Sequence, residues 1–372
     1  MGYWKNKMLE INERGYDEID TVVCNSCFGD YALKKYIKSN GQRSKCDYCG
    51  MYRKSMRLEK VLGFILECAK YEYEDANGCM GWDKHEGGFY GAHNWDTYDF
   101  INEVLNYEME VANSKLLDHI IETLDDITWC EFDPYNLRPY DENVYEWKEY
   151  ALKAEKYKKT SDYILDTICQ YINKNKLIKI QSKNISYFRG VVHDANEVVN
   201  TAKRIGSAPS EFAATNRMSR ANESVFYGAE DIDTCVKEIS NHKTKKKLIT
   251  LAKFYPSRKL KILDLTRLGI NIPSLFDEEN REKRNSSIFL RKFSEEISKP
   301  VKTNERNKYI PTQNLAHHLK IEFKLDGIAY ESSKNQRHKC YVLFFENKDC
   351  TDNVSVRGHQ LWMDQSTIIQ MK

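Results

Sequence analysis

Two Cys-x-x-Cys pairs near the N-terminus constrain the fold of this chain more than any other feature. Cys24 and Cys27 are followed, after eighteen residues, by Cys46 and Cys49. Each pair can place two thiolates on one metal ion from a tight turn, and two such pairs close a tetrahedral site. All four ligands would be soft thiolates with no position left for water, so the pattern predicts a structural zinc. The alternative, four unrelated core cysteines, is disfavoured by the specific spacing. Between the pairs, residues 31–37 are predicted to form a short helix.

Charge is distributed unevenly along the 372 residues, although the formal net charge is only +2. Residues 61–150 carry 5 basic against 21 acidic side chains, whereas residues 187–372 carry 32 against 23. An acidic surface repels phosphate backbones, so the middle of the chain is a poor nucleic-acid platform. The basic C-terminal half is the better host for an anionic ligand. The sequence begins with no apolar signal-peptide core and has no apolar run of membrane-spanning length, so we expect a cytoplasmic protein.

The acidic middle of the chain shows apolar residues at helical spacing. Such patterns occur at 57–73, over one long helix or two from Asp96 to Leu124, and at 144–173. A Gly-rich and aromatic segment at 77–91 is predicted to be a loop. We therefore predict a helical bundle for this region.

Short β-like runs alternate with helical stretches after residue 183. Strands are predicted at 185–192, 225–229, 248–254, 260–265, 327–331 and 341–346, with helices at 231–242, 286–298 and 312–323. This order predicts an α+β or mixed-sheet domain. It contains neither GxGxxG after a strand nor GxxxxGK[ST], so the two common nucleotide-binding fingerprints do not apply.

Polar residues stand beside these strands in a recurring arrangement. It consists of Tyr-x-Arg at 187–189, Asn-Arg-x-Ser at 216–219, Phe-Tyr-Gly-Ala at 226–229, an acidic residue eleven positions after Tyr227, and Gly-Ile-x-Tyr-x-Ser at 327–332. In this order and spacing the motifs resemble the RES domain, over about residues 185–350. Residues 309–316 resemble the helix that precedes the Ser strand in that family. Many members have Gly-Arg-Trp-Asn where this chain has Asn216-Arg217-Met218-Ser219, so their Trp and Asn contacts are absent here.

The resemblance implies a fold similar to ADP-ribosyltransferases and an enzyme that destroys NAD by hydrolysis or phosphorolysis, that is, an NAD glycohydrolase or NAD phosphorylase. Such enzymes often act as bacterial toxins, in toxin–antitoxin pairs or in antiphage defence. The positions that match the family site are Glu238, Arg189 and Ser332 as catalytic residues and Arg217 and Tyr227 as substrate-binding residues. Under this interpretation Glu238 stabilises the ribosyl cation, the two arginines bind the pyrophosphate, Tyr227 stacks on nicotinamide or positions the ribose, and Ser332 donates a hydrogen bond to a phosphate or to the carboxamide.

The first 180 residues resemble the N-terminal region that is fused to RES domains and grouped with the HEPN helical superfamily. Many HEPN proteins are RNases with an Arg-x4–6-His motif, but none of the nine histidines here has an Arg at that spacing. We therefore expect this region to regulate, oligomerise or recognise a trigger. A constitutive NAD destroyer would kill its host, so restraint by this region, by an antitoxin or by a trigger-sensing partner is implied, and a homo-oligomer is compatible with the sequence.

These observations predict a multidomain chain: a zinc-knuckle segment at 1–56, an acidic HEPN-like helical region at 57–180 and a RES-like NAD-processing domain at 181–372. Two other functions stay open. One is ADP-ribosyl transfer to a macromolecule by the same site. The other is a non-enzymatic, zinc-dependent nucleic-acid-binding protein, for which the basic run at 243–247 is the best feature.

Overall fold

The chain divides into two compact units in a computed structural model. The first contains Met1–Asn143 and Pro273–Arg284, and the second contains Val144–Ile272 and Asn285–Lys372. The sequence analysis predicted three domains, with boundaries at residues 56 and 180. That finer division is still a prediction. The structure describes residues 14–85, 87–132, 150–151, 154, 162–240, 247–266, 268, 272–299, 308–355 and 357–371.

The first unit begins with a small sheet around the cysteine pairs. Strands β1 (Val22–Cys24), β2 (Gln42–Lys45) and β3 (Tyr52–Arg57) pair in the order β1-β3-β2. Helix α1 (Tyr31–Asn40) lies between the pairs, where a helix was predicted. The Asp30 carboxylate caps it by accepting from the backbone N–H groups of Ala32 and Leu33, which have no partner within the helix.

The rest of the first unit combines helices with a second sheet. The helices are α2 (Leu58–Ala69), α3 (Ala76–Cys79), α4 (Thr97–Asp99) continuing through a π-helical stretch (Phe100–Leu105) into α5 (Asn106–Met109), and α6 (Ser114–Thr123). Strands β4 (Tyr73–Asp75), β7 (Asn94–Asp96) and β8 (Thr128–Glu131) pair in the order β4-β8-β7, and β5 (Trp82–Asp83) pairs with β6 (Gly88–Phe89).

This second sheet corrects the prediction of a helical bundle. The helices predicted near 57–73 and from 96 to 124 are present, but the predicted loop at 77–91 contains α3, β5 and β6. Each strand has only two to four residues. A strand this short shows too few residues for its alternation of apolar and polar side chains to be recognised.

A segment from the C-terminal half completes the core of the first unit. Leu275 and Phe276 are each 2% exposed and belong to the same apolar cluster as α2 and α6. At the end of this segment Arg284 lies between Glu72 and Glu108, with nitrogen–oxygen distances of 2.6 and 2.8 Å. The first unit is therefore built from two separate stretches of sequence.

The second unit is built on a nine-stranded mixed sheet. Its strand order is β16-β17-β12-β10-β11-β15-β14-β13-β9, and all neighbours are antiparallel except β13 with β14 and β16 with β17. The strands are β9 (Ile178–Gln181), β10 (Tyr187–Asp194), β11 (Phe226–Ala229), β12 (Lys247–Pro256), β13 (Leu260–Asp264), β14 (Gly327–Glu331), β15 (Lys339–Leu343), β16 (Cys350–Thr351) and β17 (Leu361–Met371).

Among the described residues, helices follow and separate these strands along the chain. They are α7 (Asp162–Lys174), α8 (Ala202–Ile205), α9 (Ile232–Ile239), α10 (Arg281–Ser298) and α11 (Ile310–Phe323). The mixed α+β architecture predicted for this half is confirmed, and the six predicted strands correspond to β10 to β15. The helical stretch predicted at 144–173 agrees with α7 over its last part. Most of residues 144–161 and the basic residues 243–246 lie outside the described residues. In the described part of the chain, no helix is long and apolar enough to cross a membrane.

Candidate functional site

Glu238 and Ser332 are in direct contact. Glu238 lies on α9, whose N-terminus is capped by the Asp231 side chain, and Ser332 directly follows β14. The Ser332 hydroxyl donates to Glu238 Oε1 at 2.6 Å and accepts from the backbone N–H groups of Lys334 and Asn335 at 3.2 and 3.1 Å. Because two backbone donors occupy its lone pairs, the hydroxyl hydrogen is directed to the carboxylate. Ser332 therefore orients Glu238.

Arg189 lies on β10 and is held mainly by backbone oxygens. Its Nε donates to the carbonyls of Ile205 and Gly206 at 2.9 and 2.7 Å, and its Nη1 donates to the carbonyl of Tyr227 at 2.7 Å. The guanidinium also stacks 5.4 Å from the ring centroid of Phe226. Burial lowers the pKa of Arg189 from its usual value. Among the described residues, Nη2 has no hydrogen-bond partner.

Arg217 lies in the loop that precedes β11, and Tyr227 lies on β11 itself. Arg217 Nε donates to the carbonyl of Lys299 at 3.0 Å, and the Tyr227 hydroxyl lies 3.2 Å from the Ser219 hydroxyl. Burial raises the pKa of Tyr227, while the nearby charge of Arg217 acts in the opposite direction. The arginine and the tyrosine are therefore close enough to interact electrostatically.

Helix α11 fixes the backbone of this loop. Gln313, which is buried, donates from Nε2 to the carbonyls of Asn216 and Ser219 at 2.6 and 3.0 Å. The hydroxyl of the preceding residue, Thr312, donates to the carbonyl of Arg217. These bonds set the position from which the Arg217 side chain extends.

Three buried residues, Tyr330, Cys235 and Cys340, lie near Glu238. Burial raises the pKa of Tyr330 well above its usual value, and the charges of Arg217 and Glu238 both act on it. Burial also raises the pKa of the Cys235 thiol to about 12, with Arg189 opposing and Glu238 adding to the effect. The Cys340 thiol lies 3.8 Å from Glu238 Oε1. Tyr330 therefore lies within electrostatic reach of Glu238 and Arg217, and Cys235 lies within reach of Glu238 and Arg189.

The candidate residues lie on both faces of the sheet around β10 and β11. Strand register places Tyr227 on the face that Tyr330 also occupies, and it places Arg189 on the opposite face, beside Phe226. Glu238 with Ser332 and Arg189 with the Tyr227 carbonyl are the pairs in contact. Tyr330 and Gln313 were not among the candidates drawn from the sequence. Tyr330 could have been found, because it lies on β14 two residues before Ser332, and alternation along an extended chain directs side chains two positions apart to the same side. Gln313 acts on a loop almost one hundred positions away, and spacing gives no signal for such a contact.

Two cavities of the second unit lie elsewhere. One, of about 370 Å³, is lined by residues that include Arg220, His317 and Phe344, and another, of about 490 Å³, is lined by Tyr255 and Trp362 among others. Among the described residues, neither cavity has Glu238 or Ser332 in its wall. The site at Glu238 is therefore identified by its hydrogen bond with Ser332 and by the charged groups near it, and not by a cavity.

The four cysteines of the N-terminal pairs converge. Their sulfur–sulfur distances are 3.7 Å for Cys24 and Cys27, 3.5 Å for Cys24 and Cys49, and 3.6 Å for Cys27 and Cys46. Four thiolates on a tetrahedral zinc, with Zn–S bonds of about 2.3 Å, would be separated by about 3.8 Å. The donor set and its spacing therefore fit a structural zinc.

Comparisons with known proteins cover both halves of the chain. Residues 192–364 match the family model described as RES domain, and residues 39–167 match the one described as HEPN/RES N-terminal domain 1. Both matches confirm the resemblances drawn from the sequence. Arg217, Tyr227, Glu238 and Ser332 lie inside the RES match, and Arg189 lies three residues before it.

The chain was also compared with curated proteins and with solved structures. No curated protein matches the chain. A chain of the solved M. tuberculosis MbcT–MbcA toxin–antitoxin complex aligns at a TM-score of 0.31 with 13% identity, covering 56% of this chain and 93% of that chain.

Proposed function

Since the chain carries a RES domain behind a HEPN/RES N-terminal domain, we propose that it is an NAD-degrading enzyme that acts as a toxin or defence effector. The reaction breaks the bond between nicotinamide and ribose, with water or inorganic phosphate as acceptor. The observation that carries the proposal is the 2.6 Å hydrogen bond between Ser332 and Glu238, at the two positions that match the family's Ser and Glu.

The chemistry needs one anionic group beside the ribose. The nicotinamide of NAD is cationic, so the electron pair of the breaking C–N bond neutralises the leaving group, and no strong general acid is required. Positive charge then develops on the ribose, as in glycoside cleavage, and a fixed carboxylate stabilises it. Glu238, oriented by Ser332, supplies that carboxylate. Water adds to the ribose carbon and releases a proton, or phosphate adds to give the ribosyl phosphate.

The two arginines serve the diphosphate of NAD. Planar guanidinium groups match phosphate oxygens. Arg217 extends from a loop whose backbone is fixed by α11, which favours it as the main phosphate ligand. Arg189 contributes its Nη2, while its other nitrogens hold the backbone of β11 and of residues 205–206. Tyr227, whose backbone carbonyl accepts from Arg189, stacks on the nicotinamide ring or positions the ribose.

The N-terminal region completes the proposal. The Cys24, Cys27, Cys46 and Cys49 thiols bind one structural zinc. Cys24 ends β1, and Cys27 ends the 3₁₀ turn (Asn25–Cys27) that follows it. A zinc there stabilises the knuckle and takes no part in the reaction on NAD. Restraint of the enzyme comes from this region, or from an antitoxin or a trigger-sensing partner, because uncontrolled NAD loss is lethal to the cell that makes the protein.

Purified full-length protein incubated with NAD, with and without phosphate, tests the proposal by chromatography of the products. We expect Glu238→Gln to keep the fold and to lower kcat by about 10²–10³-fold or more, because it removes the charge that stabilises the ribosyl cation. Glu322→Gln, the same change on the exposed side of α11, is the matched control and should retain wild-type activity.

The products separate the alternatives. Free ADP-ribose indicates hydrolysis, ADP-ribose carrying the added phosphate indicates phosphorolysis, and label transferred to protein or nucleic acid indicates a macromolecular ADP-ribosyltransferase. NAD consumption by Glu238→Gln at the wild-type rate would refute the assignment of Glu238.

A further inference from the structure

A second group of metal-ligating side chains lies in the first unit, apart from the four-cysteine cluster. The ligand atoms of Glu74, Cys79 and Cys130 all lie within 4.8 Å of one another. Glu74 of β4 is the direct cross-strand partner of Cys130 in β8. Helix α3 follows β4 directly and ends at Cys79, which brings this thiol back over the sheet. The three side chains therefore converge from two strands and a helix.

The distance between the two sulfurs distinguishes a metal site from a disulfide. Cys79 Sγ and Cys130 Sγ are 3.4 Å apart. Two thiolates on a tetrahedral zinc would be about 3.8 Å apart, whereas a disulfide requires about 2.05 Å. Binding a metal therefore needs a movement of about 0.4 Å, and forming a disulfide needs one of about 1.4 Å. The geometry is also close to the 3.5–3.7 Å of the four-cysteine cluster.

The surroundings show why a bound ion would matter here. The strands β4, β7 and β8 have only three or four residues each. Among the described residues, the apolar cluster around Cys130 has Ala76, Met80 and Cys130 as buried members, with Cys79, Phe89 and Ala92 packed against them. The neighbouring residue of β8, Trp129, belongs to the large core of the unit. A small apolar cluster buries little surface, so a metal ion bound beside it would add to the stability of these short strands. An ion held by Glu74, Cys79 and Cys130 would tie α3 to β4 and β8.

We propose that Glu74, Cys79 and Cys130 bind a second zinc ion, which acts as a staple for the β4-β8-β7 sheet. Two thiolates favour a soft or borderline ion such as Zn²⁺ over Mg²⁺ or Ca²⁺. On binding, the two thiols release their protons to solvent and the carboxylate supplies the third ligand. The fourth position of the tetrahedron is filled by water or by a further protein group. This site is independent of the proposed reaction on NAD.

Metal content of the full-length protein tests the proposal. After equilibration with Zn²⁺ and removal of unbound metal, we expect two zinc ions per wild-type chain. Cys130→Ser should lower the content by one ion, and Cys24→Ser with Cys27→Ser should lower it by one independently. Cys68→Ser is the matched control, because this thiol is buried in the same unit but belongs to neither group, and it should keep both ions.

Substitution with Co²⁺ gives a second readout, and Cys79→Ser with Glu74→Gln gives a second variant in case Cys130→Ser does not fold. The thiolate-to-cobalt absorption should fall by about one third when two of six cysteine ligands are lost. The proposal would be overturned if the wild-type chain bound one zinc ion and if Cys130→Ser and Cys79→Ser with Glu74→Gln bound the same amount. A disulfide between Cys79 and Cys130 would also overturn the proposal. Mass spectrometry would then find the wild-type chain lighter by two hydrogens, and both cysteines would react with an alkylating agent only after reduction.

Discussion

Replacing Arg284 by methionine is expected to destabilise the first unit strongly. The Arg284 side chain is only 8% exposed and bridges Glu72 and Glu108. It also donates to the carbonyl of Pro273 at 2.8 Å. Burial opposes its charge, yet the two carboxylates raise the pKa of Arg284 above its usual value. Removing one partner of a buried ion pair leaves uncompensated charge and costs about 3–5 kcal/mol. Here two carboxylates would face each other without a cation.

For a unit of this size, that loss corresponds to a fall of roughly 6–20 °C in the unfolding temperature. Hydrogen exchange of peptides from α2 and α6 assigns the loss to the first unit, and calorimetry measures its size. Lys35→Met is the control, since Lys35 and Glu279 form an ion pair in which both side chains are mostly exposed, and we expect a change of about 0–1 kcal/mol. Adding Glu72→Gln and Glu108→Gln to Arg284→Met should recover part of the stability. The reasoning is refuted if Arg284→Met lowers the unfolding temperature no more than Lys35→Met does.

Two further predictions concern the thiol cluster and an acidic side chain of the large sheet. Cys24→Ser with Cys27→Ser should remove one zinc ion and make the segment around these cysteines sensitive to protease. The rate of NAD cleavage by the folded second unit should stay within a few-fold of the wild-type rate. Loss of that cleavage would contradict a purely structural role for the zinc. Although burial acts in the opposite direction, hydrogen bonds from Thr266 and the charge of Lys339 hold the pKa of Asp264 below its usual value. Its stabilisation is therefore present above the unfolded-state pKa of about 3.9 and is lost as the pH falls towards the folded-state pKa. Asp264→Asn should lower the urea midpoint clearly at pH 7 and much less at pH 3, and an equal difference at both pH values would contradict this.

Parts of the second unit were predictable because their signal is local. The strand predicted at 327–331 coincides with β14, a run of four buried residues that ends at the exposed Glu331. Strand β17 was missed although it has eleven residues. Its middle is polar, and its pairing with β12 shifts register between Leu251 and Lys253. The Thr367 hydroxyl accepts from the backbone N–H of Lys253 at 2.9 Å, so a polar side chain takes part in the irregular pairing. Alternation fails as a signal where a bulge interrupts it.

Contacts between residues far apart in sequence were beyond prediction. Arg284 and Glu72 are separated by 212 positions, and an Arg on a helix of the C-terminal half gives no sign that its partners lie in the acidic N-terminal region. Arg189 was predicted to bind phosphate because an Arg beside a strand and a glycine matches the family motif. The three carbonyls that hold it depend on how β10 packs against residues 205–206 and 227, which only the tertiary structure shows.

The departure from the family's Gly-Arg-Trp-Asn pattern can now be interpreted through the loop that carries it. Met218 and Ser219 are 3% and 1% exposed, so both side chains point into the protein. The backbone of the loop is held from α11, because Gln313 and Thr312 bond to its carbonyl oxygens, which do not depend on side-chain identity. Exchanging the side chains at 218 and 219 therefore changes the surroundings of the Tyr227 hydroxyl, which lies 3.2 Å from that of Ser219. It leaves in place the backbone from which Arg217 extends. Under the proposed function, this departure changes the position of the Tyr227 ring relative to the substrate more than it changes the binding of the diphosphate by Arg217.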